Sequence, residues 1–491
     1  MADDETKEVP VFAVVGKVNT GKSAVLATLL EVDDDRMIRV SNTPGETTHC
    51  QELPLVFDGE ERIRFVDTPG FQRPIDAMHE IQDLHGDGTP GLESIRTFLD
   101  AFEGSGSFED ECQLLRPLVD GAGLLYIIDP SKPLRDEFVA EMEILRWTGR
   151  RRMALLNAKS DEDRYLQTWK DRLGSYFNLV RTFNAHQARF EQRRRLLRSL
   201  LEIDETHAGM IETTIRCLDD EWQLRREESA EVVVGVLEKA MMLRESRVLG
   251  ERDIDVEHRR QKIQRDMGEV YYRNLGRVVT RGMDRLLEIY RHHLLEVDWK
   301  DLGVEALDLE AEETWSKWGL SRTQLTMAGA ATGAAAGAAV DAGTAFLSHG
   351  AGALIGALGG GVAAFFKGNA LPDLKVDVRG GVRLKTGEGR KLELGPPKNE
   401  NFAWVLLDRL LDAYARIQTR AHALRSKSKL FENEELGGGR VQQLPGDQRR
   451  VLAKWLRSCG QGDPDRGLEP EVFRILVGFL ELIEQESASG E

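Results

Sequence analysis

Cysteine is scarce in this chain. Four are spread over 491 residues (Cys50, Cys112, Cys217 and Cys459), with no Cys-x-x-Cys and no paired spacing. That excludes a disulfide scaffold and a thiolate zinc site, and it fits a reducing compartment. Positive charge is also short: 66 Lys and Arg stand against 83 Asp and Glu, a net charge of −17. Such a balance disfavours broad electrostatic attachment to nucleic acid or anionic lipid. The first eight residues are acidic and lack an apolar run, so no secretory signal is read there and residence on the cytosolic side is expected. A mean hydropathy of −0.38 with 30% charged residues excludes a polytopic membrane protein and a wholly disordered chain.

What is present is unevenly placed. Residues 10 to about 190 alternate short β-like runs with helical patterns, as an α/β domain does. Pro10–Val15 is an apolar strand closing on Gly16. Gln51–Phe57 and Arg62–Val66 flank an Asp58-Gly59 turn and predict a hairpin, and Gly123–Ile128 and Met153–Leu156 predict buried strands. From about His186 to Trp315 proline all but vanishes. There Ile263, Met267, Val270, Tyr271, Leu275, Val278, Val279, Leu286 and Tyr290 recur at three- and four-residue steps, the pattern of a long amphipathic helix in a bundle. Further on, Leu374–Val378, Val382–Leu384 and Lys391–Leu394 read as short strands. Asn401–Ser426, Asp447–Cys459 and Glu469–Glu486 read as helices.

Gly16-Lys17-Val18-Asn19-Thr20-Gly21-Lys22-Ser23 is a complete G-x-x-x-x-G-K-S loop between a strand and the helical run opening at Ala24. Glycines let backbone N–H groups turn inward on a β-phosphate, and the helix N-terminus adds a favourable dipole. Lys22 is positioned to neutralise β/γ oxygens, and Ser23 supplies a hydroxyl to Mg²⁺. Asp67-Thr68-Pro69-Gly70 closes the next strand: Asp67 reaches the metal through water, and the Gly70 amide meets a γ-phosphate.

With these motifs, residues 10–190 resemble the translation-factor-related GTPases of the Era, EngA and TrmE group. The resemblance implies a Ras-like G domain of the α/β P-loop class. It also makes Pro44-Gly45-Glu46-Thr47 the switch I stretch, with Thr47 closing over Mg²⁺ and Thr48 as the alternative after a one-residue shift. The group's Asn-Lys-x-Asp base motif is altered to Asn157-Ala158-Lys159-Ser160-Asp161. Lys159 and Asp161 fit the Lys-x-Asp part, Asn157 stands one residue early, and Ala158 occupies the place of the Asn. An Asp carboxylate accepts guanine N1–H and N2–H, a donor pair adenine lacks. In Phe183-Asn184-Ala185-His186, the Ala185 amide is the candidate donor to guanine O6; an ordinary strand-to-helix turn is the rival reading.

The Gln that follows Asp-x-x-Gly in Ras-like proteins is replaced by Phe71, which cannot orient water. By resemblance Asn19 is the candidate K⁺ ligand, or else a structural loop residue. Hydrolysis is then expected to be slow, and accelerated by K⁺ and by homodimeric pairing of G domains. Phe71 to Ala122 is long for a switch II and its helix and rich in Asp, Glu, Gly and His; His79 and His85 read as solvated side chains of a mobile acidic loop, with a metal site as the rival. The Arg150–Arg152 and Arg193–Arg195 runs read as solvated faces.

Between Leu325 and Ala370, 27 of 46 residues are Gly or Ala. Gly329, Gly333 and Gly337 repeat every four residues, as do Gly352, Gly356 and Gly360, so each set lines one helix face for close packing. Charge-free arms at 325–340 and 342–366, about 24 and 38 Å long as helices, suit a hairpin in or on a bilayer; a soluble hairpin buried by its own bundle is the rival. With Arg420-Ala421-His422-Ala423 late in the chain, the whole resembles a little-characterised bacterial family in which a GTPase head is fused to an uncharacterised C-terminal domain.

The expected architecture is a G domain (1–195), a helical stalk or bundle (196–320), a Gly-zipper hairpin (321–370), short strands plus a helix (371–430) and a C-terminal helical segment (431–491). The expected activity is GTP hydrolysis by a nucleotide-dependent switch in the cytoplasm at the inner membrane. A soluble ribosome- or RNA-directed assembly factor and a dynamin-like membrane remodeller are the alternatives.

Overall fold

Strand β1 (Val11–Val15) is apolar throughout because both of its faces are covered. Phe12 and Val14 point into one hydrophobic cluster, Ala13 and Val15 into another. The same period-two division recurs in β4 (Gly123–Ile128) and β5 (Arg152–Asn157): Leu125, Ile127, Met153 and Leu155 face the first cluster, and Leu124, Tyr126, Ala154 and Leu156 the second. The computed structural model describes residues 8–33, 50–158, 164–249, 257–296, 375–377, 390–397, 400–424, 428–430 and 439–489. The described chain divides into two compact units.

The first unit comprises Met1–Leu224, Arg291–Leu294 and Thr419–Ser426. Its six-stranded sheet has the order β2-β3-β1-β4-β5-β6, with β2 (Gln51–Phe57), β3 (Glu60–Asp67) and β6 (Leu179–Phe183) completing the set. All neighbours are parallel except β2 and β3, which pair antiparallel across the Asp58-Gly59 turn. Both turn residues have positive φ, +52° and +76°, which matches the twist of the flanking strands. Helices cover both faces, the arrangement of a doubly wound P-loop domain. Helix α1 (Lys22–Leu30) follows β1 and packs into the first cluster.

The stretch 71–122 is not a mobile loop. It folds into three helices, α2 (Pro74–His85), α3 (Leu92–Phe102) and α4 (Glu109–Val119). Ile95, Phe98, Leu99, Leu114, Leu115 and Leu118 are fully buried in the second cluster, with Phe98, Phe102 and Phe108 in mutual ring contact at 5.0–5.4 Å. Apart from Glu111, the acidic and glycine residues that disguise these helices occupy their outer faces and turns. His85 is engaged as well, 2.9 Å from the Ser94 hydroxyl.

The unit runs past residue 195. After α5 (Asp136–Trp147) and α6 (Leu166–Leu173), Leu196, Leu197 and Leu200 of α7 (Phe190–Leu201), then Ile211, Ile215 and Leu218 of α8 (Ala208–Met242), complete the first cluster. Ala423, from the Arg-Ala-His-Ala element, joins them, and His422 stacks on His292 at 4.4 Å.

The second unit holds the rest of α8, a helix at Glu257–Ile289, and helices at Glu400–Thr419, Gly446–Gln461 and Glu469–Ser489. The bundle is thus built from both ends of the expected stalk, with sequence-distant helices included. Gly282 permits a close crossing: a Cβ there would lie 2.3 Å from Val236 Cγ2. A buried polar seam runs from Tyr290, whose hydroxyl donates to that of Tyr414 at 3.1 Å, through Tyr414 to Glu484, which Arg226 approaches at 2.7 Å. Arg390–Leu394 pairs antiparallel with Lys375–Asp377 and with Glu245–Leu249, a strand the sequence pattern did not announce. The Gly-zipper hairpin lies outside the described residues. Among the described residues no helix is long and apolar enough to cross a membrane.

Candidate functional site: a phosphate loop at the end of the sheet

The loop between β1 and α1 is folded as its glycines require. Gly16 has φ +155° and no room for a side chain: a Cβ would sit 2.4 Å from the Ile127 carbonyl oxygen. Thr20 Oγ1 donates to the Lys17 carbonyl at 2.8 Å and tightens the turn. Lys22 is buried and folded back, its Nζ donating to the Gly16 carbonyl at 2.7 Å. Burial pulls the Lys22 pKa down, while Asp67 and Glu141 oppose that pull.

Asp67, at the C-terminal end of β3, is 5% exposed. Burial pushes its carboxyl up to about 6 against the stabilising charge of Lys22. Its Oδ1 is buried with no hydrogen-bond partner. An orphaned carboxylate oxygen of this kind fits a hard divalent ion. Ser23, half-buried in the first turn of α1, is the other described donor expected to hold it. Thr47 and Thr48 fall outside the described residues, as do Lys159 and Asp161. Among the described residues no cluster of three His, Cys, Asp or Glu is arranged to hold a metal by itself.

Gly70 is brought against the loop: a Cβ there would meet the Gly16 carbonyl oxygen at 3.0 Å and Lys17 Cα at 3.4 Å. The turn before it is anchored by Thr68, whose Oγ1 donates to the Val14 carbonyl at 3.0 Å. Asn19 stands at the exposed tip of the loop in a left-handed conformation, φ +65°. Ala24 lies in the first turn of α1 and packs against the first cluster.

At the base end the structure clarifies the altered motif. Asn157, at the end of β5 and 3% exposed, donates from Nδ2 to the Thr20 carbonyl at 3.1 Å and accepts the Ala185 amide on Oδ1 at 3.2 Å. It ties the phosphate loop to the loop after β6. Ala158, placed by spacing where the Asn was expected, does no such thing; its amide is taken by the Leu156 and Phe183 carbonyls at 2.9 and 2.8 Å. The Ala185 amide, expected to read guanine O6, is here directed at Asn157.

Three groups at the site escaped sequence reasoning. Glu141, on α5 (Asp136–Trp147), is fully buried, accepts the Tyr126 hydroxyl at 2.6 Å and lies 3.6 Å from Lys17 Nζ. Burial pushes its carboxyl up to about 7, with Tyr126 and Lys17 opposing. Glu111, on α4, accepts the amides of Gln72 and Arg73. Arg193 is the third, and it corrects the reading of a solvated face. It is 2% exposed, pairs with Glu31 at 2.7 Å and donates to the Leu29 carbonyl at 3.0 Å, bracing the end of α1. Arg150 likewise donates to the Leu118 and Val119 carbonyls, at 2.6 and 2.8 Å. An acid or arginine inside a helical pattern carries no local mark of the partner that buries it.

This constellation defines a P-loop nucleotide-binding domain. Residues 11–142 match the family model described as "50S ribosome-binding GTPase", so the class is that of a GTPase domain. Residues 170–467, more than half of the chain, match the model described as "Domain of unknown function (DUF3482)", and the protein belongs to that family. Among curated proteins, the chain is 38% identical over 73 residues to GTPase Der of Ruminiclostridium cellulolyticum, covering 15% of this chain and 16% of that protein. It is 36% identical over 64 residues to the probable GTP-binding protein EngB of Streptococcus sanguinis, covering 13% and 30%. The chain thus spans less than a third of the length of either relative. Among solved structures, Era in complex with MgGDPNP and nucleotides 1506-1542 of 16S ribosomal RNA is 16% identical with a TM-score of 0.28, covering 50% of this chain and 72% of that one.

Proposed function

We propose that the protein binds GTP with Mg²⁺ in its first unit, hydrolyses it to GDP and phosphate, and acts as a nucleotide-dependent switch at or near the cytosolic face of a membrane. One observation carries the nucleotide reading. Lys22 is folded over the Gly16 carbonyl beside a buried Asp67 whose Oδ1 has no partner, at the N-terminus of α1. A buried cation, an orphaned hard oxygen and the α1 N-terminus lie beside one loop, which suits a magnesium–phosphate ligand. Ser23, Asp67 and Thr47 would hold Mg²⁺, which when bound offsets charge on the β/γ oxygens. Lys22 and the amides from Gly16 to Ser23 bind phosphate, and the Gly70 amide reads the γ-phosphate. Asn157 holds the base loop against the phosphate loop, and Lys159 and Asp161 give guanine preference.

Phe71 is 5% exposed and apolar, so it orients no water, which supports slow basal turnover. Asn19 at the exposed tip is the proposed K⁺ ligand, with G-domain pairing as the second activator. The membrane part rests on the glycine spacing and charge-free arms of 325–366. A soluble assembly factor is the second reading, favoured by the ribosome-binding description of the model matched at 11–142. The expectation against nucleic acid rested on net charge alone and is not carried further.

The test is GTP turnover in KCl and in NaCl over a range of protein concentrations, with and without liposomes, alongside co-flotation. Faster turnover in KCl, rising specific activity with concentration, and flotation are expected. Equal rates in both salts at all concentrations remove cation and pairing. Absence of flotation leaves the soluble reading, and absence of guanine-nucleotide binding sinks the proposal.

A further inference from the structure

The residues after Gly70 are anchored at several points. Phe71 is buried in the second hydrophobic cluster. The amides of Gln72 and Arg73 both donate to one oxygen of Glu111, Oε1, at 2.8 and 2.6 Å. Glu111 is 2% exposed and comes from the first turn of α4, outside the segment it holds. The Arg73 guanidinium lies 4.9 Å from the Phe108 ring centroid, and its Nε donates to Asp76 at 2.8 Å. On the other side Thr68 is fixed to β1, and Gly70 rests on the Gly16 carbonyl.

We propose that Glu111 is a positioning residue for γ-phosphate recognition, clamping the Gln72 and Arg73 amides so that Gly70 stands against the phosphate loop before nucleotide arrives. This rests on the GTP-binding reading above. Arg73 precedes Pro74 at the start of α2, so two amides at a helix N-terminus need an acceptor, and no side chain of α2 supplies it. Glu111 caps them from another helix, and a charged acceptor makes each hydrogen bond stronger than a neutral one. Ordering the segment is therefore done on folding, and GTP binding does not bear that entropic cost. GDP, which has no γ-phosphate, gains nothing from the clamp.

Glu111→Ala and Glu111→Gln distinguish the clamp from a general structural role. In Glu111→Ala, the dissociation constant of a non-hydrolysable GTP analogue should rise at least about tenfold while that of GDP stays within about twofold, because two charge-assisted hydrogen bonds are lost on the side only GTP senses. Glu111→Gln retains an acceptor oxygen and should stay within about threefold for both nucleotides. Equal weakening of both nucleotides, an unchanged ratio in a folded Glu111→Ala, or a Glu111→Gln as impaired as Glu111→Ala would overturn the clamp. Hydrogen exchange on the unsubstituted, nucleotide-free protein judges it even if Glu111→Ala does not fold. The Gln72 and Arg73 amides should be protected as strongly as that of Thr68, and exchange at unprotected rates overturns it. A wild-type protein that binds neither nucleotide refutes the GTP reading and leaves the clamp to the exchange measurement.

Discussion

Replacing Asn157 by Ala tests whether the two loops of the site are held by one side chain. The substitution removes two hydrogen bonds, to the Thr20 carbonyl and from the Ala185 amide. Both backbone partners are in buried residues, and stranding a buried group costs about 1–3 kcal/mol each. With partial relaxation the loss is about 2–4 kcal/mol, a large share of the 5–15 typical of a domain. Both contacts are internal to the protein, so most of the loss should appear in urea unfolding without added nucleotide. Nucleotide affinity should fall as far as the freed loop leaves its bound shape, and equally for GDP and a GTP analogue, since both carry the same base. Asn157→Asp should be no better. One carboxylate oxygen still accepts from Ala185, but the other is turned on the Thr20 carbonyl, oxygen against oxygen. An Asn157→Ala protein within about 0.5 kcal/mol of the parent, or one that weakens GTP binding alone, would refute the reasoning.

Three further outcomes follow from the geometry. Gly70→Ala puts a Cβ 3.0 Å from the Gly16 carbonyl oxygen and must push the turn away; GDP binding should persist while single-turnover GTP hydrolysis falls at least about tenfold. Glu141→Gln should flatten the stability–pH curve. Burial raises the folded-state pKa to about 7 from 4.5, so the carboxyl's contribution is intact below about pH 4.5 and is lost as pH rises through 7. The parent should therefore lose up to about 3 kcal/mol more than the variant between pH 4.5 and 8 in chemical denaturation, and parallel curves would refute this. Arg193→Ala removes the nearer arginine of the buried Glu31, which keeps Arg291 at 3.7 Å, and should cost up to about 3–5 kcal/mol, whereas Arg195→Ala, at a side chain 68% exposed, should change unfolding free energy by less than about 0.5 kcal/mol.

What the sequence disclosed follows from where each signal is stored. β1, β4 and β5 are covered on both faces, so their burial is written as unbroken apolar runs, and the β2–β3 turn is announced by Asp58-Gly59 because few pairs tolerate two positive φ angles. The phosphate loop is legible because its glycines, lysine and serine each answer a local demand. Helices α2 to α4 were hidden because their core contacts are a handful of apolar residues among acids, and composition averages over both. Glu245–Leu249 was hidden because it is short and pairs with a strand about 140 residues away, an association no local pattern records.

The same distinction governs the site. Asn157 looked displaced by one position when the motif was measured by spacing, yet in space it holds the base-motif loop to the phosphate loop. A sequence motif counts residues along the chain, whereas the chemistry needs atoms at the end of a strand, and that is where Asn157 stands. Glu111 and Glu141 make the converse case. Each is an ordinary acid on an ordinary helix, and each becomes specific only through what lies opposite: two amides beside Gly70 for one, Lys17 and Tyr126 for the other. The phosphate loop is thus encoded locally, while its setting is encoded by helices far downstream, with Glu111 lying 38 residues beyond the Arg73 amide it holds.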